Sequence, residues 1–89
     1  MDILIYSKNQ CPHCVTAINA AQQIIQEPGR GSVTIHKVDE DKEAYNQLLT
    51  EVPNARSLPQ VFVDGNLIGG ADKFLDWIKL TGGGSKTLL

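Results

Sequence analysis

The chain has 89 residues, 42% of them hydrophobic and 20% charged, which is enough for one compact globular domain and too few for two. Eight basic residues against ten acidic ones leave a net charge of −2, and this argues against a nucleic-acid partner because phosphate binding draws on a basic face. No apolar run approaches the roughly 20 residues that span a bilayer. The start, Met1-Asp2-Ile3-Leu4-Ile5-Tyr6, lacks the basic stretch and long apolar segment of a signal peptide, so the expected setting is a reducing cytoplasm, off the membrane.

Ile3 to Tyr6 is a short run of strand-forming residues, too short for a helix, and reads as a buried strand. A polar loop, Ser7 to Gln10, follows. Pro12 suits a first helical turn, where no backbone N–H is needed. Cys14, Ala17, Ile18, Ala21, Ile24 and Ile25 then recur at three- and four-residue spacing, predicting an amphipathic helix over 12–26 that Pro28-Gly29 and Gly31 end. Val33 and Ile35 alternate through a second strand over 32–36, with Val38 following after Lys37 interrupts the pattern. Asp39-Glu40-Asp41 puts acid where a helix N-terminus favours it. Tyr45, Leu48, Leu49 and Val52 form the apolar face of this second helix, and Pro53 stops it. Gln60 to Val63 is a third strand, Asp64-Gly65 a hairpin turn, and Leu67-Ile68 a fourth strand. Gly69-Gly70 precedes a last helix with Ala71, Phe74, Leu75 and Ile78 on its inner face and Trp77 as partial core cover. The Gly-rich stretch over 82–89 reads as a tail outside a domain over 1–81. Its Gly82-Gly83-Gly84-Ser85-Lys86-Thr87 is no phosphate loop, since Ser85 stands where a Gly is required. The order β-α-β-α-β-β-α predicts an α/β fold, a four-stranded mixed sheet with three helices packed on it.

Cys11 and Cys14 are the only cysteines, and a bridge across two residues removes little entropy from an unfolded chain. The spacing therefore suits chemistry rather than a structural staple. Cys11 stands at the junction of loop and helix, where unpaired N–H groups and the helix dipole favour negative charge. Helix N-termini and Cys-X-X-Cys pairs lower a cysteine pKa to roughly 3.5–7.5. Cys11 is thus the expected exposed attacker. Cys14, one turn deeper, is its expected resolving partner, and Pro12 holds the turn between them. His13 has two readings of equal weight, a cation that favours the Cys11 thiolate or a loop residue lining the site. A zinc half-site and a pair of inert core cysteines are weaker alternatives, because structural zinc takes four ligands and only His13 and His36 could be added.

Three stretches together resemble the glutaredoxin family over about residues 2–80: Tyr6-Ser7-Lys8-Asn9-Gln10-Cys11-Pro12-His13-Cys14, Ser57-Leu58-Pro59-Gln60-Val61-Phe62-Val63-Asp64-Gly65, and Ile68-Gly69-Gly70-Ala71-Asp72. The resemblance implies a thioredoxin-like fold, glutathione as cosubstrate with no tightly bound cofactor or metal, and a cis bond before Pro59. It also implies a glutathione site. The Leu58 backbone would pair with the cysteinyl unit, Lys8 with Arg56 would meet the glycine carboxylate, and Gly70, Ala71 and Asp72 would hold the γ-glutamyl end. Backbone N–H groups at a helix start do bind carboxylates, and Asp72 offers a partner for an ammonium. Family members usually carry Tyr where His13 stands, and Val where Leu58 stands. His at that place is better known from periplasmic disulfide-forming oxidases.

The function implied is a monomeric dithiol oxidoreductase that reduces protein disulfides and glutathionylated proteins, with ribonucleotide reductase among its possible clients. The other readings are a redoxin recharged by thioredoxin reductase without a glutathione site, an iron–sulfur-carrying binding protein, and a net oxidant driven by His13. Lys8 with Gly70-Ala71-Asp72 speaks against the first. Pro12 and Cys14 speak against the second, whose members often lack one of them.

Overall fold

The computed structural model describes residues 1–26 and 31–81, and contains β1 (Asp2–Ser7), α1 (Pro12–Ile24), β2 (Ser32–Lys37), α2 (Lys42–Glu51), β3 (Gln60–Val63), β4 (Asn66–Gly69) and α3 (Ala71–Thr81). The element order is the one expected. The expected helix end at Pro28-Gly29 and the expected tail over 82–89 lie outside the described residues.

The strands form one sheet in the order β2-β1-β3-β4, with β1 and β2 parallel and the β1–β3 and β3–β4 pairs antiparallel. β1 is central and buries both of its faces, which is why its sequence is a continuous apolar run. Because side chains alternate along a strand, Ile3 and Ile5 face one side with Val61 and Val63, where Ala17 and Ala21 of α1 and Ala71 and Phe74 of α3 cover them. Tyr6 and Phe62 face the other side and pack on Leu48 of α2. Trp77 stacks on Phe74 with ring centroids 6.0 Å apart, the partial core cover expected of it.

Asp64 (φ 51) and Gly65 (φ 85) both adopt positive φ, which matches a type I′ hairpin turn between β3 and β4. The register shifts once along this pair: Val61 faces Gly69 and Phe62 faces Leu67, so Ile68 is the extra residue of a bulge, and it packs against the α1/α3 core. Gly31 (φ 142) enters β2 so close to the first residue that an added Cβ would lie 1.7 Å from the Met1 carbonyl oxygen.

Three local expectations are corrected. α1 ends at Ile24 rather than at residue 26, because Ile25 leaves helical geometry (φ −102, ψ 9). Tyr45 is 46% exposed instead of sealing α2. The buried line of that helix runs through Ala44 and Leu48, four residues apart, and puts Tyr45 and Leu49 on a flank. Ile35 is exposed although it shares the strand face of Val33, since the core over that end of the edge strand β2 takes in Val33 but not Ile35.

Candidate active site

β1 delivers the chain to the site. Its last residue, Ser7, is buried, and its hydroxyl has no hydrogen-bond partner among the described residues. The next three residues form a loop that Asn9 ties to the turn between β2 and α2. The Asn9 backbone N–H donates to the Asp39 carboxylate (3.0 Å), its side-chain amide donates to Glu40, and its amide oxygen accepts from the Lys37 ammonium (2.8 Å). Gln10 then takes a positive φ of 55, uncommon for a residue with a side chain, and turns the chain into α1.

Cys11 is the N-cap of α1, with extended backbone (φ −122, ψ 100), and Pro12 takes the first helical position as expected. The Cys14 backbone N–H donates to the Cys11 sulfur over 3.3 Å. The Cys11 thiol in turn approaches the Leu58 carbonyl oxygen at 3.9 Å. These contacts correct the expectation of an exposed attacker: Cys11 is 7% exposed, because its sulfur folds in against the helix end beneath the Leu58–Pro59 segment. Cys14 is only 1% exposed, so Cys11 remains the more accessible of the two free thiols.

The two sulfurs are electrostatically unlike. Burial pushes the Cys14 thiol up to about 11, and its hydrogen bond with Cys11 adds to the rise, while Lys8 opposes it. Cys14 therefore stays protonated at neutral pH. The Cys11 sulfur, by contrast, lies at the α1 N-terminus and accepts from the Cys14 backbone N–H. This arrangement can place a nucleophilic thiolate beside a reserve thiol, the requirement for attack followed by resolution.

The remaining candidate residues fall on either side of one ridge. The peptide bond between Leu58 and Pro59 is cis, as the resemblance implied. On one side a depression is lined by His13, Leu58, Pro59, Gly70, Ala71 and Asp72. Gly70 directly precedes α3 and accepts from the Phe74 N–H (2.9 Å), so Ala71 and Asp72 occupy that helix's first turn. On the other side Lys8 and Arg56 border a second depression that shares Ser57 and Leu58 with the first. All eleven sequence-predicted residues thus lie at the two cysteines or along this ridge. Sequence reasoning missed Asn9 and Ser57. Asn9 carried no signal, because its partners sit about 30 positions away along the chain.

A glutaredoxin family model matches residues 3–68. Glutaredoxin-C4 of Arabidopsis thaliana is 32% identical over 76 residues, which is 83% of this chain but only 53% of that protein. The solved structure of reduced Escherichia coli glutaredoxin superposes with a TM-score of 0.77 at 26% identity, covering 90% of this chain and 95% of that one. A buckwheat glutaredoxin–glutathione complex superposes with a TM-score of 0.68, covering 96% of this chain and 81% of that one; at 21% identity this likeness concerns the fold alone.

Proposed function

The chain belongs to the glutaredoxin family of thiol–disulfide oxidoreductases, and from that premise we propose that it is a glutathione-dependent dithiol enzyme acting through Cys11-Pro12-His13-Cys14. One observation carries the reading. Cys11 caps a helix and accepts a hydrogen bond from the Cys14 N–H, while the Cys14 thiol is held protonated one turn below.

In this reading the Cys11 thiolate attacks one sulfur of a disulfide. A Cys11–sulfur bond forms, the substrate's S–S bond breaks, and the departing thiolate takes a proton from water. When the captured group is glutathione, its cysteinyl backbone pairs with Leu58 like an added strand. Its glycine carboxylate meets Lys8 and Arg56, and its γ-glutamyl end meets the α3 N-terminus and Asp72. When the captured group is a protein, Cys14 loses its proton and attacks the Cys11 sulfur, releasing the reduced client and leaving a Cys11–Cys14 disulfide. Two molecules of glutathione then restore both thiols and leave as glutathione disulfide. Pro59 and His13 both line the groove. The clients are disulfide-containing or glutathionylated proteins of a reducing compartment such as the cytoplasm, ribonucleotide reductase being one candidate.

The test is NADPH consumption on a small mixed disulfide, run once with glutathione and glutathione reductase and once with thioredoxin reductase alone. Turnover in the first arm, lost in Cys11→Ser, is the expected result. Turnover in the second arm only would overturn the glutathione dependence.

A further inference from the structure

The depression beside Lys8 and Arg56 extends past these two cations to residues of α2. Beside the polar Lys8, Arg56 and Ser57 its lining includes five apolar or aromatic residues, Val38, Leu48 and Ala55 together with Leu49 and the 46%-exposed Tyr45 of α2. It holds about 200 Å³, and an apolar cavity of about 150 Å³ already accommodates benzene. Glutathione ends in glycine, which has no side chain to enter this space. The two cations at the rim account for a carboxylate, but nothing in glutathione accounts for the apolar surface behind them. An accessible apolar hollow of this size beside a reaction centre is where an incoming side chain gains by leaving water.

In the glutathione pose proposed above the chain runs from Asp72 toward Lys8 and Arg56, and a client whose cysteine pairs with Leu58 in the same sense would run with its C-terminal side toward the cations. Resting on the glutathione pose proposed above, we propose that the Tyr45–Leu49 hollow is a client-recognition subsite. Its occupant is an apolar side chain within two residues C-terminal to the client's reactive cysteine, in a segment with a carboxylate close by for Lys8 and Arg56. The subsite would separate protein clients from glutathione at one and the same cysteine, since only a client fills the hollow.

The test uses the full chain as Cys14→Ser, loaded with glutathione on Cys11. Each peptide thiolate attacks the Cys11 sulfur and glutathione leaves as its thiolate, so the exchange involves no net oxidation. The peptides are acetyl-Cys-Gly-Gly-Glu, acetyl-Cys-Leu-Gly-Glu and acetyl-Cys-Gly-Leu-Glu, and the equilibrium is read by intact mass. One leucine peptide should displace glutathione about tenfold better than the glycine peptide, equivalent to about 1.4 kcal/mol. In Tyr45→Ala and in Leu49→Ser, each added to Cys14→Ser, that advantage should fall to about twofold or less. Equal exchange of all three peptides would overturn the subsite, and so would an advantage that survives both added substitutions in proteins with intact cooperative unfolding. The underlying pose is tested separately by Lys8→Ala, which should weaken capture of glutathione against cysteamine, a thiol with no carboxylate. Unchanged capture there would overturn the pose itself, whatever the peptides do.

Discussion

α1 and α2 begin on nearly the same backbone and put it to opposite uses. Cys11 caps α1 at φ −122, ψ 100, and Asp41 caps α2 at φ −128, ψ 105. The Asp41 carboxylate accepts from both Glu43 (3.0 Å) and Ala44 (3.3 Å), whereas the Cys11 sulfur accepts only from Cys14 (3.3 Å). Aspartate is among the strongest caps and adds a full charge against the helix dipole, while a neutral thiol is a weak acceptor. At α2 the field of the helix end is consumed in folding. At α1 it is left nearly free, and only an ionised sulfur takes full advantage of it. The same local structure thus takes a strong charged cap in one place and a weak sulfur cap in the other, and the atom at the cap position decides which.

The comparison breaks most sharply at Cys11→Ser. A hydroxyl is the better neutral cap, so stability should hold or rise by up to about 1 kcal/mol. A hydroxyl is also no thiolate, so disulfide exchange should fall by on the order of 10³-fold or more. Turnover in the NADPH-coupled assay and denaturant unfolding of the same preparation check both halves. A variant that lost stability in step with activity would mean that the sulfur also carries structural weight at this cap.

Cys14 supplies the donor of that cap, and its raised pKa makes a prediction about stability. The folded state holds this proton up to about 11 against an ordinary value of 9.0. The associated stabilisation is complete below about pH 9 and is lost as pH rises through the folded value, because the unfolded chain releases its proton first. Wild type should therefore lose about 1–2 kcal/mol between pH 9 and 11 that Cys14→Ser does not lose. Tyr6, raised by burial and by Glu51, slopes the same way, so the difference between the two proteins carries the information. Parallel curves would mean that the Cys14 thiol is not held as described.

Asn9 shows where the sequence stopped being legible. The element order, the Asp64-Gly65 turn and the two apolar faces of the sheet follow from local periodicity and turn chemistry, which neighbouring residues decide among themselves. The cap at Cys11 was readable for the same reason, as Pro12 announces the first helical turn. The burial of Cys11 was not readable, because the Leu58 carbonyl that covers it comes from 47 residues away. Nor was the flank position of Tyr45, which depends on where α2 settles on Tyr6 and Phe62. Asn9 is the extreme case, a polar loop residue whose three hydrogen bonds all reach the end of β2 or the β2–α2 turn. Asn9→Ala removes the two side-chain bonds and frees the loop that carries Lys8. The Michaelis constant for a glutathione mixed disulfide should rise about fivefold, the size of one or two net hydrogen bonds, with a smaller change in kcat. A fall in kcat with an unchanged Michaelis constant would place Asn9 in the chemical step instead.

The mildest break in the comparison is Asp41→Ala. Glu43 and Ala44 would lose their acceptor, and α2 its best-placed negative charge. The expected cost is about 1 kcal/mol of stability, or about 4–8 °C in Tm for a domain of this size. The site should notice little, since neither Glu43 nor Ala44 lines it, and turnover should stay within about twofold, which is well under 1 kcal/mol. Asp41→Asn, which keeps the acceptor and drops the charge, should recover most of the loss, because Asn ranks with Asp as a cap. If Asp41→Ala instead reduced turnover as strongly as it reduced stability, the two helix ends would not be independent. The coupling would then run through the hydrogen bonds of Asp39 and Glu40 with Asn9, which join this turn to the loop before Cys11.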